Sequence, residues 1–164
     1  TPIKSSAASD VYKRQRKFLV KHIPAGLGSF PKRELEQTYI SVSPTIRLRK
    51  SDSDYILTVK GSGSIAREEF ELPLSFEQYS SLMKKAETPP VIKTRYFIPL
   101  PGGLTAELDV YHGGLDGLLT VEVEFDSLDS SSAFIPPDWF GDDVSEDKRY
   151  KNTALSLYGL PKKE

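Results

Sequence analysis

The chain contains no cysteine, which excludes a disulfide framework and any thiolate metal site. It has almost no net charge: 22 Lys and Arg stand against 23 Asp and Glu, a formal charge of -1. A general nucleic-acid binder carries a basic excess, so no nucleic-acid partner is expected, although a local basic site remains compatible. No apolar run approaches the roughly 20 residues of a transmembrane helix, and no secretory signal pattern is present. No membrane association is expected, and a cytoplasmic location is the default. Methionine is nearly absent: Met83 is the single one, and the chain begins at Thr1. Ser5 to Gln15 resembles a translated sequencing-adapter remnant, so residues 1–15 are read as a non-native or disordered segment and set aside. Residues 16–160 are read as one domain, which is long enough for a sizeable core, and 161–164 as a tail. There is no internal repeat.

What is present is period-2 alternation. Strands are predicted at 16–23, 37–42, 45–50, 55–60, 66–74, 91–99, 104–112 and 118–125, bounded by Gly, Pro, Ser and Asp turns. Ser51 to Asp54 turns 45–60 into a hairpin. Lys32 to Leu35 is read as a helical turn and Asp126 to Ser132 as a polar loop. The period changes at 75–86, where Phe76, Tyr79, Leu82 and Met83 share one helical face. Ser75 and Gln78 have capping-box spacing, and Pro89-Pro90 prevents continuation. Ile135 to Glu164 shows no alternation and is read as short helices. The fold class is therefore mainly β. Eight successive strands joined by short turns are antiparallel, and the expected architecture is an eight-stranded closed barrel with helices packed outside.

Five of these strands carry two like charges at i, i+2: Arg47/Arg49, Glu69/Glu71, Lys93/Arg95, Glu107/Asp109 and Glu122/Glu124. Residues two apart share a strand face, and like charges on one face repel. The opposite face carries Ile46, Leu48, Phe70, Leu72, Leu108, Val110, Val121, Val123 and Phe125. That apolar face needs cover, which the 75–86 helix and a C-terminal segment with Trp139, Phe140, Leu155 and Leu157 can supply. The charged face then lines the interior as a hydrated tunnel. Its basic lining is Lys17, Arg47, Arg49, Lys60, Arg67, Lys93 and Arg95. Its acidic lining is Glu69, Glu71, Glu107, Asp109, Glu122 and Glu124. Burying so many ions costs several kcal/mol each without partners. Internal salt bridges balance them, and so do divalent metal on the acids and a polyphosphate on the bases. The sorting of signs by strand favours the second.

The motifs resemble the CYTH domain of the triphosphate tunnel metalloenzyme family. The matching segments are Arg16-Lys-Phe-Leu-Val20, Gln37-x-Tyr39, Ile46-Arg-Leu-Arg49, Thr58-Val-Lys60-Gly61 and Arg67-x-Glu69-x-Glu71. They continue with Val91-Ile-Lys-Thr-Arg-Tyr96, Glu107-Leu-Asp109, Val121-Glu-Val-Glu124, Asp138-Trp-Phe-Gly141 and Asp147-Lys-Arg-Tyr-Lys-Asn152. The resemblance implies hydrolysis of inorganic tripolyphosphate or a related triphosphate. The basic lining residues would grip phosphate oxygens. The acidic ones would hold Mg²⁺ or Mn²⁺, with one or two acids, Glu71 among them, orienting a basic neighbour instead. A water activated by metal would attack, with no single side chain assigned as catalyst. The family's opening motif is Glu-x-Glu-x-Lys. Lys17 fits its lysine, but Lys13 and Gln15 stand where the glutamates belong, which is expected to impair the chain.

The rival readings are a class IV adenylate cyclase, a thiamine triphosphatase and, from another class, a non-catalytic polyphosphate-binding module. A lipocalin-like carrier fits poorly because its interior should be apolar. His112 and His22 are read as structural, Trp139 and Phe140 as packing, and Gly61-Ser-Gly63 as a turn without the lysine or helix of a P-loop.

Overall fold

The computed structural model describes residues 3–7, 15–61 and 66–162, and the side chains of 15–61 and 69–162. Ten strands form one antiparallel sheet: β1 (Ile3–Ala7), β2 (Gln15–Val20), β3 (Lys32–Ser41), β4 (Thr45–Ser51), β5 (Asp54–Lys60), β6 (Ala66–Leu74), β7 (Val91–Pro99), β8 (Thr105–His112), β9 (Leu119–Glu124) and β10 (Phe140–Asp143). Their order across the sheet is β1-β6-β5-β4-β3-β7-β8-β9-β2-β10. Among the described residues the α-helices are α1 (Phe76–Met83), α2 (Leu128–Ala133) and α3 (Asn152–Tyr158). No helix among the described residues is long and apolar enough to cross a membrane.

All eight expected strands are present, but the expected eight-stranded closed barrel is not. Closure would need β6 to pair with β2. The free edge of β6 is taken by β1, with Ser6 opposite Arg67, and that of β2 by β10, with Phe140 opposite Val20. An edge already hydrogen-bonded has no donors or acceptors left for another strand. Gly141 permits the β10 approach, since a Cβ there would lie 3.2 Å from the Leu19 carbonyl. Arg16 fastens it with a 2.8 Å ion pair to Asp143.

The residues read as a helical turn, Lys32 to Leu35, instead open β3. They are held on both sides, Leu35 opposite Ser51 and Lys32 opposite Tyr96, and pairing in a central strand overrides local preference. The stretch read as a polar loop contains α2, capped by Ser127, whose hydroxyl accepts from the Ser130 N–H. The capping box at Ser75 and Gln78 forms as expected and starts α1.

The apolar outer face of β2, β7, β8 and β9 makes the main core. Phe18, Ile98, Ala106, Leu108, Val121, Val123 and Phe125 are buried there beneath Phe134, Trp139 and Phe140. α1 covers the outer face near β5, where Tyr79 packs on Tyr55 with ring centroids 4.9 Å apart. The other face is the charged one. Lys93 is fully buried on it and Asp109 is 3% exposed, so the sheet curls around these side chains. α3 does not lie outside as expected. Leu155 packs against Val91 and Tyr111, which alternate in phase with Lys93 and Asp109, so α3 stops one end of the charged face. Leu157, also expected as cover, is 43% exposed.

Candidate active site

Strand register brings the expected site residues onto one face. Arg47 lies opposite Tyr39 on β3 and Thr58 on β5; Arg49 lies opposite Gln37 and Ile56. Lys60 faces Glu69, and Thr58 faces Glu71. Lys93 and Arg95 on β7 face Tyr111 and Asp109 on β8. Glu107 faces Glu122, which in turn faces Lys17 on β2. Arg67 sits on β6 opposite Ser6, but its side chain, like the whole of Lys13, lies outside the described residues.

The basic residues are held in two different ways. On β7 and β8 they are neutralised. Asp109 Oδ2 is 2.8 Å from Lys93 Nζ. Its carboxylate also accepts a bidentate pair from Arg95, Nε at 2.8 Å and Nη2 at 2.9 Å. Arg95 Nη1 reaches Glu107 at 3.3 Å. Burial works against the Asp109 charge, yet Lys93 and Arg95 hold its carboxyl well below the usual range. Burial lowers Lys93 to about 8 against the pull of Asp109. Arg95 is raised: burial opposes its charge, but Asp109, Glu107 and Glu122 outweigh that. Asp109 is thus an acid that orients basic neighbours.

On β4 the guanidiniums have no carboxylate in contact, although Glu69 and Glu71 act on Arg47, and Asp109 on Arg49, from farther off. Among the described residues neither Arg47 nor Arg49 forms a salt bridge. Arg49 donates through Nε and Nη2 to Gln37 Oε1, at 3.1 and 2.8 Å. Arg47 makes a long 3.4 Å contact to Thr58 Oγ1, and its buried Nε has no hydrogen-bond partner. Burial lowers the pKa of both, Arg49 to about 10, and for Arg49 the charges of Arg47 and Arg95 lower it further. Half-buried cations without a carboxylate in contact are costly. An anion with several oxygens is the partner such a pair accepts.

The acids of β8 and β9 show the complementary problem. Burial raises the Glu107 carboxyl, Arg95 opposes, and Glu122, Asp109 and Glu124 raise it again. Together with Gln15, the residues Glu107, Glu122 and Glu124 line a cavity of about 290 Å³. No three acidic or histidine side chains among the described residues converge into a preformed metal cage. Mg²⁺ does not require one, since it keeps several waters and is bound through one or two carboxylates plus substrate phosphates. Glu107 and Glu122, which face each other across β8 and β9, offer carboxylates of that kind. Lys17 lies at the join, 4.0 Å from Glu122, and its Nζ donates to the Tyr150 carbonyl at 2.5 Å. Burial lowers its pKa against the pull of Glu122.

Reading the sequence missed Gln37 and Tyr39 as site residues. Their motif was noted without a role, because a strand starting at 37 hid the alternation Arg33, Leu35, Gln37, Tyr39. His112 is structural as expected: its Nε2 is 2.8 Å from Thr94 Oγ1 on the outer face.

No family model matches the chain. An inorganic triphosphatase of Nitrosomonas europaea is 46% identical over 144 residues, which is 87% of this chain and 95% of the relative. An inorganic triphosphatase of Acetivibrio thermocellus is 33% identical over 113 residues, 68% of this chain and 70% of the relative. A crystal structure of an inorganic triphosphatase superposes with a TM-score of 0.72 at 42% identity, covering 87% of this chain and 93% of that one. A putative adenylate cyclase from Bacillus halodurans, at 12% identity and a TM-score of 0.51, shares the fold alone. Identity of this extent, across the strands that carry the charged pairs, means that the chain belongs to the CYTH-type inorganic triphosphatase family.

Proposed function

We propose that the protein hydrolyses inorganic tripolyphosphate or a related triphosphate on its charged inner face, in a reaction dependent on Mg²⁺ or Mn²⁺. The observation behind this reading is the pair Arg47 and Arg49, half-buried on one strand face and without a salt bridge to a carboxylate among the described residues. These two guanidiniums bind and orient the phosphate chain. Lys93, Arg95 and Lys17, and by family likeness Lys60 and Arg67, add positive charge along it. Asp109 keeps Lys93 and Arg95 in place, so that no reorganisation is needed when substrate arrives. Glu107, Glu122 and Glu124 would hold the metal, and by family likeness so would Glu69 and Glu71 of β6. When bound, the metal supplies charge neutralisation and an activated water. A cytoplasmic location belongs to the same reading.

Gln15 lines the acidic cavity opposite Glu124, so an amide stands where the family motif has a carboxylate. Turnover by the chain as it stands is therefore expected to be low. The test is phosphate release from tripolyphosphate with Mn²⁺ or Mg²⁺ and then with chelator, run beside cyclic AMP formation from ATP. Metal-dependent phosphate release supports the proposal. Cyclic AMP without phosphate release would favour the cyclase. Binding without turnover, even by the Lys13→Glu, Gln15→Glu chain, would favour a non-catalytic module.

A further inference from the structure

We propose that Gln37 is a positioning residue of the phosphate site: it orients Arg49 for the substrate without cancelling its charge. This rests on the triphosphatase reading above. Gln37 is wholly buried on β3, and its Oε1 accepts two hydrogen bonds from Arg49, through Nε and Nη2. The same two guanidinium nitrogens are held at Arg95, there by the two carboxylate oxygens of Asp109. The donors are alike; the acceptor is one amide oxygen in one case and a charged carboxylate in the other. At Arg95 the acceptor is a carboxylate, and the cation is neutralised. At Arg49 it is an amide, and the cation keeps its full charge toward the inner face.

The amide is not a comfortable choice for packing. Its Nε2 is buried without a partner, and native proteins seldom leave a buried donor orphaned. Rotating the amide does not help, because the NH₂ would then meet the donors of Arg49. A carboxylate would remove the orphan donor and pair with Arg49, and an apolar side chain would remove it as well. Glutamine is the choice that fixes the guanidinium plane while leaving Nη1 and the positive charge available. A phosphate chain needs both, since guanidinium recognition of phosphate is planar and bidentate.

The experiment is calorimetric titration of tripolyphosphate, in chelator, into the parent chain, Gln37→Glu and Gln37→Met, with a thermal melt of each. Gln37→Glu preserves the hold on Arg49 and adds the opposing charge. It is expected to melt no lower than the parent and to bind at least tenfold more weakly. The ratio of its Kd to that of the parent should shrink as pH falls and the introduced carboxyl becomes protonated. Gln37→Met keeps the volume but removes the acceptor, and should also weaken binding, independently of pH. A folded Gln37→Glu that binds within twofold of the parent overturns the inference. If Gln37→Glu does not fold, Gln37→Met binding within twofold does the same. A parent that binds no tripolyphosphate refutes instead the function on which the inference rests.

Discussion

Replacing Asp109 with asparagine keeps the shape of the side chain and deletes its charge. Asp109 is the shared counter-ion of Lys93 and Arg95, with contacts of 2.8 and 2.9 Å, and its side chain is only 4% exposed. Removing one partner of a buried ion pair costs about 3–5 kcal/mol, because the remaining charge is left uncompensated. Here two cations are left. Lys93, already lowered to about 8, sheds its proton more readily once Asp109 is gone. Arg95 cannot do so and retains only Glu107 at 3.3 Å. For a chain of this length, each kcal/mol lowers the melting temperature by roughly 2–4 °C. The expected drop for Asp109→Asn is therefore about 6–20 °C, read by circular dichroism. Lys93→Met should cost less, since Asp109 keeps its bidentate bond to Arg95. The two substitutions together should cost less than the sum of each alone. A fall of under about 2 °C for Asp109→Asn would refute the counter-ion role and the division of the basic residues into neutralised and free.

Lys93 titrates near 8 in the folded chain against 10.5 for the ordinary group, so between those values the unfolded chain holds the extra proton. Stability contributed by this group therefore rises with pH from about 8 to about 10.5, by up to about 3 kcal/mol, and has no slope at pH 7. Urea midpoints should show that rise in the parent and lose it in Lys93→Met. Leu108→Ala empties a fully buried position of the outer core; it should cost about 2–5 kcal/mol by denaturant titration with little effect on tripolyphosphate affinity in the folded protein. Lys13→Glu with Gln15→Glu should raise the metal-dependent rate of phosphate release, and equal rates would show that these positions do not matter.

Much of the fold was legible because period-2 alternation is a local signal. The parity of Arg47/Arg49 and Glu107/Asp109 puts the described candidate residues on one face, as the strand register shows. The capping box at Ser75 and Gln78 marked α1 in the same way. Partnership was not legible, because it depends on register between strands distant in sequence. Glu107 and Asp109 are two residues apart on one strand and read alike. In the fold Asp109 is consumed by Lys93 and Arg95, while Glu107 faces Glu122 at the open cavity. Gln37 carries no charge, so the sequence shows it only as a motif residue without a role, although its amide holds Arg49. β10 is too short to alternate visibly, and β1 lies in the set-aside segment. Without those two edge strands the sheet reads as closed. The position of α3 was equally hidden: Leu155 is apolar, and only the fold shows that it stops the charged face rather than covering the apolar one.

If Arg47 and Arg49 receive the phosphate chain, a crystal structure of the protein with tripolyphosphate and Mn²⁺ should show phosphate oxygens within hydrogen-bond distance of both guanidiniums, with Mn²⁺ held by Glu107 and Glu122. Tripolyphosphate bound elsewhere, with Arg47 and Arg49 engaged by protein carboxylates, would contradict that role.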